Sequence, residues 1–254
     1  MSHNDSIRDQ FTKQAVPFST APGIQDEAAL KLVLEMTPAS SSDTSLDVAC
    51  GPGIVACAFA RSVERATGID LTPAMIDRAR VLQAEKGLTN VHFQVGDITP
   101  LPFRGAEFSI VTCRYSFHHF LDPLEVLREM RRVCRPGGSI CVIDVVTSPD
   151  PRRTEAYNRM EKLRDPSHVR AMPLSELTGL FQRVGLSAPR TASYNLAIEV
   201  EGLLERSFPA PGDAAVIRQM FAESLADDGL GMQTRREGDK IVGVYPIAVL
   251  VAAV

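Results

Sequence analysis

Over the first 150 residues, apolar positions fall into two alternating rhythms. Short, nearly unbroken apolar runs occur in "SLDVAC" (45–50), "ATGID" (66–70), "VHFQV" (91–95), "EFSIVTC" (107–113) and "SICVIDVV" (139–146). Between them lie longer segments, 54–64, 72–87 and 122–134, in which apolar residues recur every three or four positions. The first pattern predicts strands covered on both faces, and the second predicts amphipathic helices. An earlier helical segment over 24–36 aligns Ala28, Leu32 and Met36, and the polar "TPASSSDT" that follows predicts a loop. Two helices carry their own punctuation. Thr72 stands at an N-cap position, with Pro73 in the first turn and Gly87 as the stop. Asp122 and Pro123 open the other, which closes before "RPGG". Strands alternating with helices at this pace predict βαβ units and a parallel sheet.

After residue 150 the rhythm changes. Segments 152–165 and 174–185 have helical spacing, "SAPRTASY" (187–194) predicts a sixth strand, and 196–228 reads mostly as helix. The last stretch, 232–254, predicts a hairpin with "EGDK" as its turn, whose final strand must run antiparallel to its partner.

Composition narrows the function classes. The chain of 254 residues is 44% hydrophobic and 23% charged, as ordinary globular proteins are. A net charge of -4 with pI near 5.8 argues against a nucleic-acid partner, which calls for a basic, clustered surface. Arg128, Arg131, Arg132 and Arg135 do cluster, but at the C-terminal end of a predicted helix, where cations complement the dipole. The apolar C-terminus "VYPIAVLVAAV" is strand-sized and carries Pro246, so no stable membrane insertion is expected. The polar N-terminus lacks a signal-peptide core, and the five cysteines show no CxxC and no metal-ligand spacing. Free, reduced thiols, no metal and a cytoplasmic location are the expectation.

The candidate chemistry starts at "LDVACGPG" (46–53), where Gly51 and Gly53 follow the first strand and Asp70 ends the second. That spacing suits a nucleoside ligand, with the loop close to it and Asp70 on the ribose hydroxyls. A dinucleotide loop shares this signature. Asp47, however, would repel a pyrophosphate, and Pro52 removes one N–H from the cradle. S-adenosylmethionine (SAM), cationic and without phosphate, tolerates both. In "VGDI" (95–98), Asp97 could accept from the adenine amine, and the Ile98 N–H could serve a ring nitrogen.

Together, "LDVACGPG", "GIDLTPAMIDRAR", "VGDITPLPF", "FSIVTCRYSFHHFLDPLEVLREMRRVCRPGG" and "VIDV" cover about residues 46–145. They resemble class I SAM-dependent methyltransferases, in particular the branch that includes the ubiquinone/menaquinone-biosynthesis C-methyltransferases. The resemblance implies an α/β fold: a Rossmann-like, doubly wound, seven-stranded and mostly parallel sheet with an antiparallel last strand. A helical insertion would precede the C-terminal hairpin. The implied organisation is an N-terminal lid (1–23), a SAM-binding core (24–150), a helical acceptor-binding region with one strand near 187–194 (151–230), and the completing hairpin (231–254). SAM would be the cofactor, S-adenosylhomocysteine the product, and a small aromatic or partly apolar molecule the acceptor. The site residues implied are Asp47, Cys50, Gly51 and Gly53 at the methionine part, Asp70 at the ribose, Leu71 and Met75 against the adenine, and Asp97 and Ile98 at its edge. A carbonyl of Cys113 or Arg114 would accept from the ammonium. "FTKQAVPF" (11–18) resembles the family's lid, with Gln14 and Phe18 closing over the cofactor. Ala49-Cys50 departs from the glycine with which many relatives open the loop.

Methyl transfer from a sulfonium needs alignment and exclusion of water, and a base only when the acceptor must lose a proton. "YSFHHF" follows the fourth strand, which makes Tyr115, His118 and His119 the candidate catalytic residues. Adjacent helical side chains diverge by about 100°, so one histidine is expected to face the acceptor. His168, in "RDPSHVR", is a second candidate base. Two alternatives remain open on sequence: an enzyme of the same fold that binds SAM without transferring methyl, such as a cyclase or isomerase, and an NAD-dependent oxidoreductase.

Overall fold

The five apolar runs become β1 (Thr44–Val48), β2 (Arg65–Asp70), β3 (Val91–Val95), β4 (Phe108–Arg114) and β5 (Cys134–Thr147) in a computed structural model that describes residues 2–21 and 23–254. Met1 and Pro22, both within the segment read as a lid, lie outside the described residues. Helix α2 (Glu27–Met36) precedes β1, and the helices between the strands are α3 (Ile54–Phe59), α4 (Pro73–Glu85) and α5 (Pro123–Val133). Beyond them come α6 (Pro151–Arg164), β6 (Met172–Pro173), α7 (Leu174–Arg183), β7 (Arg190–Glu199), α8 (Val200–Ser207), α9 (Asp213–Ser224), β8 (Arg235–Glu237) and β9 (Lys240–Ala253).

The sheet runs β3-β2-β1-β4-β5-β9-β7, with β6 added to β5 and β8 to β9. Neighbours from β3 to β5 are parallel, and β9 is antiparallel to both β5 and β7. This is the expected Rossmann-like sheet of seven principal strands, with two short extra pairings. Side chains alternate between two apolar layers. Cys141, Ile143 and Val145 join one cluster with residues of α3, α4, α6, α8 and α9. Ile140 and Val142 join the other with residues of α5 and α7. That double coverage is why the strands read as continuous apolar runs.

Several boundaries differ from the sequence reading. Helix α3 ends at Phe59 rather than at 64. Thr72 does hold the N-cap of α4, but its hydroxyl is buried without a partner and makes no cap bond; Asp70 Oδ1 takes the Thr72 N–H instead. The sixth strand is β7, which runs on through residues first read as helix. Its alternating burial marks a one-sided edge strand, with Tyr194, Leu196 and Ile198 inward. The hairpin turn is Gly238-Asp239, and Pro246 sits one residue beyond the β5·β9 ladder, where its missing N–H has no β5 partner to lose. The largest difference is at the N-terminus. Residues of the expected lid form α1 (His3–Thr20), started by a Ser2–Asp5 capping box and packed against α4 and α8. Pro17 within its last turns breaks the helical signal without ending the helix.

Candidate functional site

The strand order reverses between β1 and β4, and ligands of open α/β sheets sit at such a switch point, at the carboxyl ends of the strands. A cavity of about 300 Å³ opens there. The loop after β1 brings Ala49, Cys50, Gly51 and Pro52 to it, β2 ends on it with Asp70, Leu71 and Met75 follow, and the loop after β3 adds Asp97 and Ile98. Arg114, Tyr115 and Ser116 come from the end of β4, and His3, Asn4, Ile7, Phe11 and Phe18 of α1 cover the opening.

The loop geometry follows from its residues. Ala49, Gly51 and Gly53 all have positive φ, at 52°, 50° and 77°. Ala49 is where many methyltransferases carry glycine, so this chain holds an L-residue in a left-handed conformation at a cost of order 1 kcal/mol. A side chain at Gly51 would meet no atom within 4 Å, so its open face lies against empty cleft. Gly53 has another task. A Cβ there would come within 2.6 Å of Phe93 and 2.8 Å of Ala79, so it permits close packing of the loop and α3 and does not line the cavity.

The acids divide in the same way. Asp70 lines the cavity and takes the Gly51 N–H on Oδ2 at 2.8 Å, which ties the loop to β2. Burial raises its pKa. Asp97 holds its own turn, with Oδ1 accepting from the Ile98 and Thr99 N–H groups, and Oδ2 accepts from Asn4 Nδ2 at 2.9 Å. The Ile98 N–H is therefore already used by Asp97, a correction to the expectation that it is free for a ring nitrogen. Asp47 is also displaced from its expected place. It is buried behind the loop, bonded by Thr112 Oγ1 at 2.8 Å, and burial pushes its pKa up to about 7. Cys113 likewise lies behind the wall, and the Arg114 carbonyl accepts from Ser116 Oγ.

A second cavity of about 260 Å³ adjoins the first and shares Phe11, Phe18, Ile24, Tyr115 and His119 with it. Its apolar wall comes from Val145, Tyr157, Leu196, Ile198, Leu203 and Ile247. Of the apolar residues in 150–230, Tyr157, Leu196, Ile198 and Leu203 line it, whereas Met160, Met172, Phe181 and Phe221 are core. Val145 of β5 and Ile247 of β9 complete it. Gln14 faces this second cavity and not the first, its Nε2 3.5 Å from Asp165 Oδ2.

The three candidate histidines come together, against the expectation of divergence. Residues Phe117–His119 form a single 3₁₀ turn, and the His118 and His119 rings lie 4.3 Å apart, with His168 5.5 Å from His118. Their environments separate them. His118 Nδ1 is 2.6 Å from Asp144 Oδ1, and Asp144 Oδ2 also takes the His118 N–H. Because a carboxylate only accepts, Nδ1 carries the proton and Nε2 is left as the acceptor. Burial works against charge on His118, but Asp144 more than offsets it and the pKa is raised. The Ser167 hydroxyl donates to Asp165, so its oxygen accepts from His119 Nδ1. Burial, with His118 beside it, lowers the His119 pKa to about 4. His168 lines neither cavity. Its Nε2 bonds Asn158 Oδ1 at 2.8 Å, and burial takes its pKa down to about 3. This corrects the reading of His168 as a base: it cannot reach a ligand in either cavity.

Tyr115, with φ of 57°, stands between the cavities, its hydroxyl 2.6 Å from that of Tyr194. Sequence reasoning missed Asp144, Tyr194 and the buried pair Glu161–Arg164 in the wall of the second cavity. Asp144 had a signal: a lone acid within an apolar strand must have a buried partner. Among the described residues, no cluster of histidine, cysteine and acid side chains could hold a metal ion, and no helix is long and apolar enough to cross a membrane.

Cleft chemistry suits a nucleoside with an amino-acid tail. Asp70 and Asp97 bring carboxylates to the cleft, and Gly51 leaves the approach open. Comparison with known proteins points the same way. Residues 46–142 match the family described as Methyltransferase domain. The uncharacterized methyltransferase YcgJ of Bacillus subtilis (strain 168) is 33% identical over 91% of this chain and 92% of its own. Its crystal structure superposes with a TM-score of 0.82 over 89% of this chain and 97% of that one. The 27-O-demethylrifamycin SV methyltransferase of Amycolatopsis mediterranei (strain S699) is 31% identical over 68% of this chain and 67% of its own. Ubiquinone/menaquinone biosynthesis C-methyltransferase UbiE of Bdellovibrio bacteriovorus is 31% identical over 54% of this chain and 61% of its own.

Proposed function

Because the chain belongs to the class I SAM-dependent methyltransferases, we propose that it methylates a small, largely apolar acceptor at a group that must give up a proton, a hydroxyl above all. The observation that carries this reading is the meeting of two cavities at Tyr115 and His119, one lined by Asp70 and Asp97, the other by an apolar wall facing Glu161, Arg164, Asp165 and Arg206 and by His118, which Asp144 anchors. When bound, SAM supplies a methyl group already activated on a sulfonium.

The chain's own residues then have three tasks. Asp70 takes the ribose hydroxyls, Leu71 and Met75 pack on the adenine, and Asp97 Oδ2, now held by Asn4, accepts from the adenine amine. The apolar residues of α1 keep water from the transfer site, in the manner of a lid. His118 Nε2 accepts the acceptor's proton, while Asp144 holds the ring in the tautomer that leaves Nε2 free. His119 is held too far down the pH scale to serve as that base near neutrality; with Tyr115 it forms the wall that aligns acceptor and methyl. The apolar wall of the second cavity and the 27-O-demethylrifamycin SV acceptor that names one relative both support a small-molecule acceptor.

The test of the cofactor is thermal. S-adenosylhomocysteine should raise the melting temperature, since it binds the folded state only, and NADH should not. Stabilisation by NADH alone would establish the oxidoreductase alternative. Asp70→Ala should weaken S-adenosylhomocysteine binding at least about tenfold, because hydrogen bonds to a charged group are lost. Unchanged affinity by calorimetry would place the ribose elsewhere. Binding without methyl transfer to any acceptor, by mass spectrometry across a panel of phenols and enols, would favour the cyclase or isomerase alternative.

A further inference from the structure

Besides its histidines the second cavity is lined by five charged side chains, and four of them are already committed. Glu161 and Arg164 pair with each other. Asp165 Oδ1 accepts from the Ser167 N–H and hydroxyl, and its Oδ2 faces Gln14 Nε2. Glu199 caps α8, with one oxygen on the Glu201 N–H at 3.0 Å and the other on the Gly202 N–H at 3.1 Å. Arg206, half-buried in the last turn of α8, is the fifth. Among the described residues no acid forms an ion pair with it and no carbonyl or hydroxyl accepts from it. Its place is nevertheless built. Gly202 lies one turn earlier, in a helix of eight residues where glycine is disfavoured. A Cβ at Gly202 would come within 3.1 Å of Arg206 Nη1 and 3.7 Å of Nη2, so the missing side chain makes the room in which the guanidinium lies. The C-terminal end of the helix also favours a cation there.

Resting on the reading of the second cavity as the acceptor site, we propose that Arg206 binds a carboxylate of the acceptor, which makes the substrate a hydroxyl-bearing, largely apolar carboxylic acid. The fork of guanidinium donors matches two carboxylate oxygens at once, and all of them are open. Asp165 and Glu199 in the same lining limit the charge that fits, since they repel a dianion such as a phosphate monoester more strongly than a carboxylate. Arg206 lines the second cavity alone, whereas Tyr115 and His119 line both. The acid end of the acceptor therefore lies at α8, its apolar body against the wall, and its hydroxyl at His118. The carboxylate is the handle by which the acceptor is held, not the group that is methylated. Arg206 thereby acts as a specificity residue, separating acids from neutral molecules of the same shape.

Matched probes test this: para-hydroxyphenylacetic, -propionic and -butyric acids, each beside its primary amide, which keeps the shape and loses the charge. By calorimetry in excess S-adenosylhomocysteine, at least one acid should bind about 10- to 100-fold more tightly than its amide, the scale of hydrogen bonding to a charged group. In Arg206→Gln that preference should fall to about twofold or less, and Arg206→Lys should restore part of it. Arg206 makes no bond that holds the fold, so both variants should melt within about 2 °C of wild type. With SAM, the product should be an aryl methyl ether, stable to alkali. Acids and amides that bind alike, a preference that persists in Arg206→Gln, no binding by any of the acids, or an alkali-labile methyl ester as product would each overturn the assignment. Failure of the methyltransferase reading looks different: the acids would bind with the same dependence on Arg206 and give no methylated product.

Discussion

His118→Ala is expected to lower kcat by about 10²–10⁴-fold on the true acceptor, the usual scale for loss of a general base, with S-adenosylhomocysteine affinity nearly unchanged. Affinity should hold because His118 lines the second cavity and not the first. The pH dependence gives the sharper test. Only the neutral imidazole can accept a proton, so kcat should fall as pH drops below the His118 pKa, which Asp144 raises against the effect of burial. Asp144→Asn removes the carboxylate that favours the imidazolium, so the acid limb should move to lower pH. Its activity at neutral pH should nevertheless fall, because an amide can donate to Nδ1 and reverse the tautomer. His119→Ala and His168→Ala should shift no acid limb, since neither group titrates near neutrality. A flat pH profile with full activity in His118→Ala would remove the base from the reaction, leaving an acceptor nucleophilic enough without one.

The parts legible in the sequence share a physical origin. Strands β1, β2, β4 and β5 are readable because both faces are covered, and "LDVACGPG" with Asp70 because a glycine loop between strand and helix admits few chain paths. The misreadings arise where tertiary contacts decide. Asp47 and Asp70 look equivalent along the chain, two acids near strand ends. The register sets Asp47 beside Thr112, behind the loop, whereas Asp70 emerges at the cleft. Helix α1 has too little amphipathic contrast to declare its packing face, and Pro17 obscures it further. The histidine turn was read with α-helical geometry, but a 3₁₀ turn and the Asp144 anchor bring the two rings to the same cavity wall. The acceptor cavity was the least legible part. Its walls come from α1, α6, α8, β7 and β9, and local spacing carries no information on which of their apolar residues meet.

The largest effect on stability should come from Glu161. In the last turn of α6 its carboxylate receives Arg164 Nη2 at 2.6 Å and Nε on both oxygens, while the Tyr245 hydroxyl donates to Oε1 at 2.7 Å. The side chains are 2% and 13% exposed, so both charges are held out of water. Removing one partner of such a pair leaves an uncompensated buried charge, at a cost of about 3–5 kcal/mol. For a chain of this size that is a fall in melting temperature of roughly 6–20 °C in Glu161→Leu. The double variant Glu161→Leu with Arg164→Met should recover most of the loss, because it removes both desolvation costs together. Burial alone would raise the Glu161 pKa, but Arg164 beside it more than offsets this and holds the carboxyl below its usual range. A depressed carboxyl contributes stability that is complete above its unfolded pKa and is lost as pH falls through the lower folded value. The double variant should therefore show a shallower acid limb of stability than wild type. Since the pair lines the second cavity only, the double variant should keep S-adenosylhomocysteine affinity and show a raised KM for acceptor. Melting of Glu161→Leu within about 2 °C of wild type, or single losses that simply add, would mean that Arg164 finds solvent once released and that the pair does not brace the cavity wall.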